Sequence, residues 1–163
     1  GRQRRGSRDL FWRVLSNAAT DNASFIPLEP VAGGMECPNC HARTVVFDVP
    51  SEYREHVPEE AERAALCPEC LTLVATDAPP EPRFDRISSA FPENEAAAVP
   101  LAIGIGLLDS LALHRRSLEA LVPAAEAAGA DPLLLLDRLH VQGGVDPSFD
   151  ISRRRHQLEQ LLE

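Results

Sequence analysis

Cys37-Pro38-Asn39-Cys40 and Cys67-Pro68-Glu69-Cys70 are the two stretches on which the fold turns. They hold all four cysteines of the chain, as two C-P-x-C pairs with 26 residues between them. A thiolate is a soft ligand, and four of them suit tetrahedral Zn²⁺ at about 2.3 Å. A two-residue gap lets one tight turn present both sulfurs to one ion. Two such turns joined by a hairpin close the site. The spacing therefore predicts one structural zinc ion held by Cys37, Cys40, Cys67 and Cys70. Closure leaves no open coordination position for a substrate.

Other uses of four cysteines fit less well. Two disulfides need an oxidising compartment, and no export signal is legible. A redox dithiol has a thiol pKa lowered by a helix N-terminus or a nearby cation. Here Glu36 and Glu69 flank the cysteines, and negative charge disfavours a thiolate unless a metal stabilises it. The spacer exceeds the common range of 15–20 residues, so part of it is expected to be loop.

Composition bears on the solvent and the partner. The chain has 163 residues, with 25 acids against 16 basic residues and a net charge of −9. Every basic residue is arginine. An acid-rich, lysine-free chain points to a halophilic, archaeal or bacterial cytoplasm, where acidic side chains keep a protein hydrated. Phosphate binding weakens steeply with salt, because it gains affinity from counterion release. At about 1 M salt the Debye length is about 3 Å. Nucleic acid is therefore the disfavoured partner and another protein the expected one. The longest uncharged apolar run, residues 96–108, is too short to span a bilayer. The sequence leaves the oligomeric state open.

The composition changes near Met35, the only methionine. Residues 1–34 hold five arginines against three acids; residues 35–163 hold eleven against 22. Residues 1–34 are thus expected to be a disordered extension, with the natural start at Met35. Arg4-Arg5 invites a twin-arginine reading, but Arg8, Asp9 and Arg13 interrupt the apolar region such a signal needs. Arg2, Arg4, Arg5 and Arg8 form a basic arm of the kind that touches nucleic acid.

The expected fold class is α+β: a small β-rich zinc ribbon over residues 35–78, a proline-rich linker over 79–86, and an irregular helical bundle over 87–163. Val45, Phe47 and Val49 alternate as one apolar face of a strand. Ser51 is expected to cap a single turn and Pro58 to stop it. Residues 71–75 form another strand. Pro79, Pro80 and Pro82 stiffen the linker, which should separate ribbon from bundle.

Three to five short helices are expected beyond it. Pro92 opens a stretch that Pro100 breaks or kinks. Residues 101–113 are nearly all apolar and read as a buried central helix. Residues 117–128 carry Leu118, Leu121, Val122 and Ala125, with a break or kink at Pro123 and Gly129 beyond the end. Asp131 and Pro132 start a helix through Leu139. Ser152 is expected to cap the last, with Leu158, Leu161 and Leu162 on one stripe. Gly104 and Gly106 allow close helix approach and are too little for a dinucleotide motif.

Few other residues invite chemistry. Asp109, Ser110 and His114 supply an acid, a nucleophile and a base, but helical spacing does not align them as a triad. His41 and Leu71 stand where many ribbons have glycine at positive φ. His41 is not needed as a ligand and is expected to donate an N–H to a thiolate. Arg153, Arg154 and Arg155 form a basic cluster, in which Arg155 can pair with Glu159. His140 lacks a partner at metal spacing. No enzyme is expected, with a thiol redox enzyme as the alternative.

From Met35 onward the order of features resembles a small haloarchaeal family of uncharacterised zinc-ribbon proteins. The pieces are Met35-Glu36-Cys37-Pro38-Asn39-Cys40, Val49-Pro50 with Tyr53-Arg54-Glu55, Cys67-Pro68-Glu69-Cys70, residues 106–112 and residues 153–162. The resemblance implies zinc ligation by the four cysteines and no assigned activity. His41 departs from the glycine common in such proteins. The knuckles alone also resemble transcription-type ribbons, and that likeness transfers no function. The expected role is an interaction or regulatory module that binds a protein; the alternative is a nucleic-acid-binding ribbon, with arginines such as Arg43, Arg54 and Arg63 gathered on one face.

Overall fold

A computed structural model describes residues 35–163. The expectations for the extension and its arginines lie outside these residues. The fold is α+β. Strands β1 (Val45–Asp48), β2 (Arg63–Leu66) and β3 (Leu73–Ala75) form an antiparallel sheet in that order. Helices α1 (Glu95–Gly106), α2 (Arg115–Ala127), α3 (Pro132–Val141) and α4 (Ile151–Leu161) follow.

β1 is covered on both faces. Val45, Val46 and Phe47 are all buried, so the single apolar face expected from alternation is too few. The three form a continuous apolar run, which is how a strand buried on both sides reads. Its outer edge is also occupied: the Glu81 amide donates to the Val46 carbonyl at 2.9 Å. Residues 79–86 thus lie against the sheet. Phe84 is buried between Phe47 and Phe91, with ring centroids 5.5 and 5.6 Å apart. One apolar cluster runs from Val45, Phe47 and Leu66 through Phe84 to the four helices.

Between β1 and β2 the chain makes two 3₁₀ turns, Ser51–His56 and Pro58–Glu60. The first has no side-chain cap, so Ser51 does not act as expected; the Tyr53 amide instead bonds the Pro50 carbonyl. Proline at the second position of the next turn sets its φ, and Glu59 takes a φ of 60° beyond it.

α1 is the central helix, and every residue from Ala97 to Ile105 is buried. It starts at Asn94, whose side chain accepts from the Ala96 amide, and not at Pro92. Pro100 neither breaks nor ends it, and Pro123 likewise lies inside α2. Each proline forfeits one helical hydrogen bond. Burial of the apolar residues around them holds the helices together regardless. The central helix ends at Gly106, seven residues before the expected Leu113. A 3₁₀ turn at Leu108–Ser110 then leads away, and Leu113 is 82% exposed.

Glycine at 106 has a steric cause. A Cβ built on Gly106 would collide with Cβ of Leu73 on β3. The helix terminus therefore rests on the sheet at a distance only glycine permits. Gly104 is different, because its Cβ would sit 3.7 Å from Leu118 of α2, an ordinary contact.

α2 buries Leu118, Leu121, Val122 and Ala125, the four residues its periodicity singles out. It closes as a Schellman motif: Gly129, at φ 108°, donates to the Glu126 carbonyl and Ala130 to the Ala125 carbonyl. Asp131 caps α3 through the Leu134 amide, with Pro132 at the first helical position. α4 is capped by Asp150 through the Arg153 amide, not by Ser152. Asp150, two positions before Ser152, accepts from the N–H three residues on, the usual N-cap geometry.

The two glycines should respond oppositely to alanine. Gly104→Ala gains helix propensity without a clash, and should raise the unfolding free energy by about 0.5–1 kcal/mol. Gly106→Ala forces α1 off β3 and should lower it by about 1–3 kcal/mol. Urea denaturation of the two variants beside the parent measures both.

Candidate metal centre

The register of the hairpin brings the cysteines together. Val45, at the start of β1, pairs with Leu66, at the end of β2. The first knuckle lies just before β1 and the second just after β2, so both emerge at one end of the sheet. The four Sγ atoms lie within 4.8 Å of one another. Cys37 and Cys70 are 3.6 Å apart at sulfur, and Cys40 and Cys67 are 3.4 Å apart. A disulfide would need about 2.05 Å, so all four are free thiols. Tetrahedral coordination at about 2.3 Å places sulfurs about 3.8 Å apart. The cluster has room for one metal ion at that spacing.

The two knuckles repeat one backbone design. In the first, the Cys37 amide donates to the Ala42 carbonyl and the His41 amide to the Cys37 carbonyl. In the second, Cys67 donates to Thr72 and Leu71 to Cys67 in the same way. Asn39 and Glu69 then direct their amides to the sulfurs of Cys37 and Cys67, at 3.3 and 3.4 Å. Such N–H donors stabilise charge on a thiolate and fix its direction. The Thr72 hydroxyl lies 3.0 Å from the Cys70 sulfur.

The turn requires positive φ after the second cysteine, and the chain supplies it without glycine. His41 has φ 69° and Leu71 has φ 60°. Leu71 is buried in the main core, which compensates its strain. His41 has no such anchor: its side chain is exposed and stands 3.8 Å from Glu36. Its expected role as a thiolate donor is not met, because its N–H is already given to the Cys37 carbonyl.

Electrostatics also fit a cation. Burial pushes the Cys67 thiol well above its ordinary range, and hydrogen bonds from Cys70 and Glu69 only partly counter it. Burial acts the same way on Cys70, but there the Thr72 hydroxyl and Asn39 prevail, and its pKa falls to about 6. At Cys40 the Ala42 amide and Cys67 pull the thiol down; desolvation, Cys70 and Cys37 outweigh them and leave it raised. Four thiols this close cannot ionise together without positive charge among them. Cys37, Cys67 and Cys70 are buried, and Cys40 faces solvent.

The remaining candidates are not a catalytic group. Asp109, Ser110 and His114 lie on a 3₁₀ turn and the loop after it and border one cavity with His56 and Ser117, but no side-chain hydrogen bond joins the three. Arg154 donates to the Asp109 carbonyl and to Gln157, while Arg155 pairs with Asp137 at 2.8 Å and with Glu159 at 3.2 Å. Two members of the basic cluster thus dock α4. Arg43 bonds Glu81, Arg54 the Val49 carbonyl and Arg63 Asp48. His140 is exposed near the end of α3. His56, which sequence reading passed over, is hydrogen-bonded to Ser117 across 61 positions. No local pattern signals that pair.

A family model matches residues 36–162, from the residue before Cys37 through α4. The chain belongs to DUF6276, a family of unknown function. The DUF6276 match takes in both knuckles, the three strands and the four helices. No curated protein and no solved structure matches the chain.

Replacing His41 with glycine should relieve left-handed strain at an exposed position. His41→Gly should raise the unfolding free energy by about 0.5–1 kcal/mol, after the entropy glycine adds to the unfolded chain. Thermal denaturation of the metal-loaded protein reads the shift.

Proposed function

We propose that the four cysteines hold one structural zinc ion and that the protein is an interaction module for another protein in a reducing, salt-rich cytoplasm. The thiolate cluster carries the zinc reading: four sulfur donors, two repeated knuckles and N–H donors aimed at sulfur suit Zn²⁺ better than oxygen-seeking cations. Cys37, Cys40, Cys67 and Cys70 are its ligands. With all four positions filled, zinc would serve folding and not catalysis.

The partner reading rests on the surface. Leu113 and Val141 are 82% and 78% exposed, and Leu134 is also exposed. Apolar contacts of this kind survive salt that screens charge. Arg43, Arg54 and Arg63 are each engaged by a carboxylate or carbonyl of their own chain, which weakens the nucleic-acid alternative. Among the described residues, no helix is long and apolar enough to cross a membrane.

Native mass spectrometry of the chain purified in high KCl should find one zinc per chain, lost to chelator. Chelation or Cys67→Ser should lower the unfolding free energy by about 4 kcal/mol or more, the range typical of a lost metal. A metal-free chain whose cysteines pair and separate reversibly would overturn the zinc reading in favour of redox chemistry.

For the partner, affinity capture in molar KCl should retain a protein that Leu113→Ser with Val141→Ser releases. Retention of nucleic acid under those conditions, with no protein dependent on the two residues, would reverse the choice of partner.

A further inference from the structure

Away from the metal centre, the fold joins a nucleophile to a base. His56 Nδ1 lies 2.8 Å from Ser117 Oγ. His56 Nε2 faces a Glu55 carboxylate oxygen at 3.4 Å. The His56 side chain is only 9% exposed, so its orientation is fixed by packing. All three residues border a cavity of about 430 Å³, with Val57, Leu73 and Leu107 supplying apolar wall. A volume of that size takes a small molecule and not a folded segment.

Ser117 is the third residue of α2 and lines the cavity. Its N–H belongs to the first turn of that helix and makes no backbone hydrogen bond. Such first-turn donors, at the positive end of the helix dipole, stabilise negative charge developing nearby. Glu55 and Asp109 line the same cavity and disfavour an anionic substrate.

We propose that Ser117 and His56 are the nucleophile and general base of a site that hydrolyses small neutral carboxylic esters. The exposed Glu55 carboxylate, 3.4 Å from Nε2, favours the tautomer with its proton there and leaves Nδ1 free to accept. As Ser117 Oγ bonds to the ester carbonyl carbon, its proton passes to Nδ1. The carbonyl electron pair moves onto oxygen. Collapse breaks the bond to the alcohol, which leaves with the proton from Nδ1. Water then attacks the acyl-serine, giving up a proton through His56 that returns to Ser117 Oγ. Ester and water become acid and alcohol. The zinc reading can fail without touching this site, since none of its groups is a cysteine.

The test is labelling of the full chain with a serine-directed fluorophosphonate, mapped by peptide mass spectrometry, beside turnover of p-nitrophenyl butyrate. Labelling at Ser117 is expected. Ser117→Ala should abolish label and turnover, and Ser152→Ala should leave both intact. His56→Gln should slow them by about 10²-fold or more, the usual contribution of a general base. The folded wild-type chain alone can overturn the proposal, if Ser117 takes no label. Labelling that is as fast in His56→Gln as in the parent would also overturn it. So would a Ser117→Ala variant that keeps full turnover. A hydrogen bond that merely ties the 3₁₀ turn to α2 would lower the melting temperature on substitution and give no label in the parent.

Discussion

Everything at the ribbon end follows from the pairing of Val45 with Leu66. That register sets the two knuckles side by side, because one ends where β1 begins and the other begins where β2 ends. A slip of one residue would turn every side chain of the hairpin over and separate the sulfurs. The pairing is held by burial on both faces, with Val45, Val46 and Phe47 on β1 against Leu66, Ala65 and Ala64 on β2. Apolar burial and the clustering of the four cysteines therefore specify the same register.

The helices depend on the sheet through one close approach. Gly106 lets the end of α1 rest on Leu73, and α1 presents apolar surface in every direction. Such a helix is stable only when enclosed. β-sheet, residues 79–86, α2 and the α3–α4 pair supply the enclosure. The C-terminal part reaches back as well: the Asp146 amide donates to the Glu69 carbonyl in the second knuckle, and Gln142 bonds the Ile87 carbonyl. The cleft holding His56 and Ser117 exists because the turn after β1 and the start of α2 meet across this junction.

Strain is placed where the knuckles need it. His41 and Leu71 adopt a conformation glycine takes freely, and the repeated hydrogen bonds of each turn hold them there. Glu59 and Glu60 adopt it too, in the tight turn that returns the chain toward β2. A side chain at such a position costs stability, and it persists when the surrounding bonds over-determine the backbone.

Spacing alone picked out the four cysteines that the fold brings within 4.8 Å of one another, because two C-P-x-C turns have few other uses. Local signals also placed the α+β order, the buried face of α2, its Gly129 end and the Asp131-Pro132 start. These are decided within a few residues, by periodicity and by the hydrogen-bonding needs of helix ends. Tertiary packing decided the rest. Pro100 and Pro123 stay inside helices because burial outweighs one lost bond each, and residue 106 must be glycine because Leu73 of β3 lies against it. The nearby trio Asp109, Ser110 and His114 was legible and comes to border one cavity, without hydrogen bonds among the three side chains. His56 and Ser117 did assemble, 61 positions apart, because contacts between distant segments are set by how apolar faces pack and leave no local pattern in the chain.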